Sequence, residues 1–298
     1  MFERLFGRFV ARPQRLSSDD LHFILEHATI PEQIPSLMAC ISKGAPFLHD
    51  NILGFENDEW MIIVGYPLTG EFSVTALEEV ISWSLDKYRS QILWVIAPQL
   101  PQAFEQYAQL IQSDQYYQLD LSHYEVKSNL LREVRKTQER IEVEITREIT
   151  NQHAELIEQF LEANAIPPLV AALYKSLPRY LHDSPTACLI NTWDKQHRLC
   201  AFYAAEQAAY HFDAHILGCF SRENYIPHAS DRIFWEMIEL AHRNGKTNLQ
   251  LGLGVNEGIR GFKEKWGGSP FLTYNVWEIH SLSTAQEGML GWLMEGKW

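Results

Sequence analysis

Lys263 stands at a position where a lysine is unusual. Ile259, Phe262, Lys263 and Trp266 fall at i, i+3, i+4 and i+7, which is one face of a helix. Such a face packs against a sheet. The lysine must either snorkel out along its stem or hold its ammonium in a partly dry place. Held there, it can donate to an oxyanion or to a phosphate. A second group lies on another expected strand. His211, Asp213 and His215 alternate on one side of it, with Tyr210, Phe212, Ala214 and Ile216 on the other. A His or an Asp there can serve as a general base. A metal site would need ligands from elsewhere, because same-face neighbours are roughly 7 Å apart. The third reading is a plain polar strand face.

Two further stretches can bind anions. Residues 221–230 lead into a helix N-terminus, where backbone N–H groups can hold a phosphate. Arg222, Asn224 and Tyr225 are the candidate ligand contacts, and Ser230 the expected helix cap. The alternative is an ordinary polar loop. In residues 129–137, Arg132, Arg135 and Lys136 share a helical face that suits an anionic donor or headgroup. Glu133 and Glu139 offset that charge, as on a solvated face.

The elements that must position these groups follow from periodicity. Residues 248–253 alternate as a strand. Gly252 and Gly254 follow where the backbone must bend tightly or let something approach closely. Asn256 caps the Lys263 helix and Gly267 stops it. Gly252, Gly254 and Gly258 miss the dinucleotide spacing by one, which argues against a Rossmann unit. Before this stretch come a strand at 141–145, helices at 151–164 and 168–182, and strands at 187–193, 199–206 and 209–217. A helix at 231–243 follows, and a strand at 271–279 comes last. Earlier in the chain we expect helix 20–27, strand 60–64, a helix through Leu77–Tyr88, strand 92–96, a helix near 104–111 and a strand near 116–121. Strand–helix alternation predicts α/β layering. Residues 1–16 stand apart. Phe2, Leu5, Phe6, Phe9 and Val10 make an apolar stripe beside four arginines, which either touches an anionic membrane surface or docks on its own domain.

Composition sets bounds. The chain has 298 residues, is 46% hydrophobic and carries a net charge of −13. That charge disfavours an extensive nucleic-acid footprint. Cys40, Cys188, Cys200 and Cys219 show no paired spacing, so we expect reduced, buried thiols in a cytoplasmic protein. No apolar run reaches the roughly 20 residues that span a membrane.

The element order and the Lys263 helix resemble the acyl-CoA N-acyltransferase (GNAT) superfamily, and more closely its two-lobed Fem-type aminoacyltransferase branch. Asn256 and Gly267 match the family's last-helix pattern, and Lys263 sits where a general-acid Tyr often stands. Phe262-Lys263 with Trp266-Gly267 fits the Fem-type variant. The resemblance covers residues 127–280. It implies two GNAT-like lobes with mixed central sheets flanked by helices, the first lobe shortened. The expected division is 1–16, 17–123, a linker helix at 124–139, and 140–298. It also implies transfer of an acyl or aminoacyl group from a thioester or ester to an amine, with acyl-CoA a possible donor and no tightly bound cofactor. Lys263, His215 and Asp213 would carry the chemistry. The Gly-rich pyrophosphate loop of acetyl-CoA enzymes is missing before the 231–243 helix. A non-catalytic binding protein of the same fold is the alternative.

Overall fold

The computed structural model describes residues 16–57, 59–88, 90–164 and 168–280. The expectation for 1–15 lies outside the described residues, as does the end, 281–298, of the expected 140–298 lobe. The chain forms two compact units, each assembled from non-contiguous stretches. Among the described residues, unit 1 takes 16–22, 42–113 and 273–280. Unit 2 takes 23–41 and 114–272.

Unit 1 is a mixed sheet backed by helices. Strands β1 (Ala45–His49) and β2 (Ile52–Glu56) form a hairpin. Its two-residue turn, Asp50-Asn51, has φ of 43° and 71°. Two positive φ values match the twist of the flanking strands, and Asp and Asn tolerate them. This hairpin was not expected from the sequence. Strand β3 (Trp60–Val64) runs antiparallel to β2 and parallel to β4 (Ile92–Ile96). The crossover between them is a helix, Val74–Lys87. Ser73 caps its start, and Leu77, Val80, Ile81 and Leu85 are buried on the sheet. The expected 104–111 helix is only Gln102–Glu105. The chain then extends into a long strand from Ala108 to Asp120. Leu110 and Ile111 are exposed there, so a longer helix would have had no apolar face to bury.

Unit 2 is larger, and its sheet is buried on both faces. From Asp114 the long strand, β5 (Ala108–Asp120), pairs antiparallel with β10 (Asn248–Leu253). Strand β10 pairs parallel with β9 (Phe212–Phe220), and antiparallel pairs continue through β8 (Leu199–Glu206), β7 (Ala187–Asp194) and β6 (Ile141–Thr146). Alternation divides the side chains between two cores. Leu189, Phe202, Ala214 and Leu217 pack with helices Asn151–Ala163 and Pro168–Asp183, joined by Ile34, Leu37 and Cys40 from 23–41. Ile190, Ala201, Leu249 and Leu251 pack on the other face, under helices Ser128–Thr137, α8 (Ala229–Arg243) and α9 (Glu257–Lys265). The mixed α/β architecture expected from the sequence is what forms. The four cysteines are buried and unpaired. Among the described residues, no helix is long and apolar enough to cross a membrane.

Three local expectations need correction. His211 is exposed in the bend before β9, and its carbonyl accepts from Thr247 and Asn248, so it does not share the strand face. Helix α8 starts at Ala229, with His228 (φ 69°) as its N-cap residue, so Ser230 lies inside the first turn and caps nothing. Ile259 is exposed on the first turn of α9, and the packed face narrows to Phe262, Lys263 and Trp266.

Candidate active site

The parallel pair β9–β10 is the element that makes a site. Its register runs through Asn248↔Phe212, Leu249↔Asp213 and Gln250↔Ala214, and stops there. Both strands continue, so they part beyond Gln250 and Ala214. Two irregularities accompany the parting. Strand β10 shifts register against β5 between Gln250 and Gly252, where Gly252 takes a φ of 69°. Strand β9 shifts against β8 between Leu217 and His215, which leaves Ile216 as an extra residue. A parallel pair that separates leaves backbone groups facing a gap instead of each other.

Lys263 stands at this gap. It is 6% exposed, so it does not snorkel. Its Nζ donates to the Leu253 carbonyl at the end of β10 and lies 5.5 Å from the centre of the Tyr117 ring. Burial brings the pKa of its ammonium down to about 8, against a smaller opposing pull from the Asp114 carboxylate. Asp114 also accepts from the Val255 N–H at 2.7 Å, which ties down the turn after β10. A Cβ on Gly254 would come 2.7 Å from that carboxylate, so the turn needs glycine for close approach. Asn256 caps α9, accepting from the Ile259 N–H at 2.9 Å. Gly267, with φ of 92°, ends the helix.

His215 is the first β9 residue past the last pair. Its ring packs edge-on against Tyr203 with centroids 4.6 Å apart, and its buried Nε2 has no hydrogen-bond partner among the described residues. Burial lowers its pKa to about 3, and the charge of Lys263 adds to the effect. The imidazole is therefore neutral at ordinary pH, and it is too weak a base to take a proton from an ammonium. Stability should respond accordingly. Between pH 3 and 6.5 the unfolded chain binds a proton at His215 that the folded chain does not, so stability rises with pH across that window. We expect the urea midpoint to fall from pH 6.5 to 4 less steeply in His215→Gln than in the native protein; equal slopes would show that His215 does not titrate this way.

Asp213 sits two residues earlier and serves a different end of the strand. It is fully buried, accepts from Asn244 Nδ2 at 2.9 Å and lies 3.6 Å from Lys246 Nζ. These contacts tie β9 to the turn between α8 and β10. Burial raises its pKa, against the Asn244 bond and the Lys246 charge.

The other candidates form separate groups. Tyr225 and Ser230 line a cleft of about 320 Å³ at the start of α8, with Phe220, Asp231, Phe262 and Lys265. Asp231 accepts from Lys265, from Trp266 Nε1 at 2.9 Å and from His228 Nδ1 at 3.0 Å. Burial pushes its pKa up, but the bonds from Lys265, His228 and Trp266 outweigh it and hold the carboxyl below its usual range. The first turn of α8 thus already carries an anion of this chain, with Glu133 3.2 Å from His228 beside it. Arg222 is exposed and lines a second cleft with the end of the Asn151–Ala163 helix. Asn224 gives its N–H to Ser221 Oγ at 2.9 Å. Arg132 and Arg135 face solvent, and Arg132 lies 3.6 Å from Glu133. The structure brings together Lys263, His215, Gly252, Gly254 and Asn256, and leaves Asp213, Arg132, Arg135 and Arg222 outside that group. Among the described residues, no cluster of His, Cys, Asp or Glu is arranged to hold a metal ion.

No family model and no curated protein matches this sequence. Solved structures do. FemX matches with a TM-score of 0.64 at 10% identity, over 94% of this chain and 100% of that one. A tandem GNAT protein from the clavulanic acid biosynthesis pathway matches with a TM-score of 0.55 at 11% identity, over 90% and 97%. L-PGS from Bacillus licheniformis matches with a TM-score of 0.54 at 12% identity, over 92% and 96%. At such identities the likeness is one of fold, and the fold these chains share with this protein is the bilobal GNAT-like one.

Proposed function

We propose that unit 2 transfers an acyl or aminoacyl group from a thioester or ester to an amine. The observation that carries this reading is the parting of β9 from β10 beyond Gln250 and Ala214, with Lys263 buried at its edge. A carbonyl placed in the gap would meet free backbone groups of both strands and an ammonium in a poorly screened setting. One N–H of Lys263 is held by Leu253, which fixes the group and leaves two to donate. The ammonium then stabilises the developing oxyanion or the departing thiolate or alkoxide. The likeness of fold to FemX and to a tandem GNAT protein supports acyl-group transfer in general.

One observation favours a second reading, a non-catalytic protein of the same fold. The α8 N-terminus, which would hold a donor's pyrophosphate, is faced by Asp231 and Glu133. The test offers a panel of acyl-CoAs and aminoacyl-tRNAs together with glycinamide, and follows release of free thiol or deacylated tRNA. Transfer to glycinamide from at least one donor is the expected result. Ligand-induced stabilisation without any transfer would support the binding protein instead.

A further inference from the structure

Strand β5 leaves part of one edge open. Its register with β10 ends at Tyr116. One bond lies past that point, from the Gly254 N–H to the Gln115 carbonyl at 3.1 Å. On its other side the neighbour of β5 is β11 (Ser269–His280). Among the described residues, no strand lies beside 109–113 on the β10 side. All of 109–113 is exposed. Leu110 is 50% and Ile111 40% exposed, and successive residues point to opposite faces, so the stretch is apolar on both. From Gln106 to Ser113 the chain has neither a charge nor a proline. Such residues guard natural edges, because an open edge is a template for another strand.

The bonding phase of this edge follows from the strand itself. Leu121 donates to the Thr247 carbonyl, and Gln115 accepts from Gly254. Odd-numbered residues of β5 therefore turn their N–H and C=O toward the β10 side. Continued along the strand, that alternation turns Gln109, Ile111 and Ser113 outward on the open edge. The outward groups are centred on Ile111. Two antiparallel strands related by a twofold axis keep their faces, so the axis passes through a residue paired with itself. Centred on Ile111, the pairing sets Gln109 against Ser113 of the second copy, and every outward N–H meets an outward C=O. No charge opposes a like charge within it, although each chain carries a net charge of −13. We infer that this edge pairs antiparallel with the same edge of a second copy of this chain, with Ile111 on the twofold axis. The inference is independent of the acyl-transfer reading.

Sedimentation velocity on the native full-length protein tests it. So short an edge makes a small interface, and the loading should span about 1–300 µM. We expect the mass to move from one chain toward two over that range. Gln109→Lys/Ser113→Lys sets lysine against lysine on both sides of the axis and should weaken association by about 10-fold or more. Gln109→Glu/Ser113→Glu should do the same with carboxylates. An equimolar mixture of the two variants should dimerise again, because each lysine then faces a glutamate. A native protein that stays monomeric at the highest loading would overturn the inference. So would a dimer that neither variant weakens, or folded variants that dissociate and do not pair when mixed. If the variants do not fold, amide exchange on the native protein decides. Protection at Gln109, Ile111 and Ser113 should rise with concentration, and a dimer without that rise would place the contact elsewhere and refute this one.

Discussion

Lys263→Met should lower turnover by on the order of 10²-fold, the loss seen when one oxyanion donor is removed. Methionine keeps most of the stem's bulk, so the packing of α9 changes little. Thermal stability should change little as well, because the substitution loses the bond to the Leu253 carbonyl and also removes the cost of a buried charge. The pH dependence supplies an independent check. The donating form is the ammonium, and its pKa lies near 8, so turnover should fall as pH rises through that value. Lys263→Arg holds its charge to far higher pH and should abolish that fall, even if its overall rate is lower. Stability runs the other way. Between about pH 8 and 10.5 the unfolded lysine binds a proton that the folded one has given up, so the native protein gains stability with pH there, and Lys263→Met should not. A methionine variant with native turnover would remove Lys263 from the chemistry.

Trp266→Ala should have the largest effect on stability, about 3–5 kcal/mol, as for other large-to-small core changes. The indole is fully buried, packs at a tilt against Phe234 with centroids 5.1 Å apart, and donates to Asp231. Its carbonyl accepts from Tyr124 at 2.8 Å. Removing the ring leaves a cavity between α8 and α9 and takes one donor from a buried carboxylate. Trp266→Phe fills most of the space and loses only the N–H, so it should cost less, about 1–3 kcal/mol. Urea unfolding of the two variants measures both. An alanine variant within 1 kcal/mol of native would mean that the α8–α9 contact is not what fixes the last helix.

Much of the second unit could be read from periodicity alone. The strands and helices from 141 to 272 are regular, and their apolar faces are complete within each element. Lys263 was found because four residues at helical spacing marked a packed face. Ile259 misled the same argument, since the first turn of α9 stands clear of the core that Phe262 and Trp266 reach. The β1–β2 hairpin went unread although Asp50-Asn51 between two apolar runs is a turn signal. Glu32 was beyond local reading, because Tyr116, which hydrogen-bonds its buried carboxyl, comes from a strand far along the chain. His215 was noticed for its type and spacing. Its depressed basicity depends on burial under Tyr203, which no spacing displays.

The interleaving of the two units has a consequence for synthesis. On the ribosome, a domain made of one continuous stretch can fold as soon as it emerges. Neither unit has that option. Strand β4 (Ile92–Ile96) gains its antiparallel neighbour Val276–His280 only after all of unit 2 has been translated. Residues 23–41 in turn leave the exit tunnel long before the core they complete exists. At about 5–20 residues per second the nascent chain spends on the order of ten seconds with apolar strands exposed. Its yield in a cell should therefore depend on holdase chaperones acting during elongation more than on the stability of the finished fold.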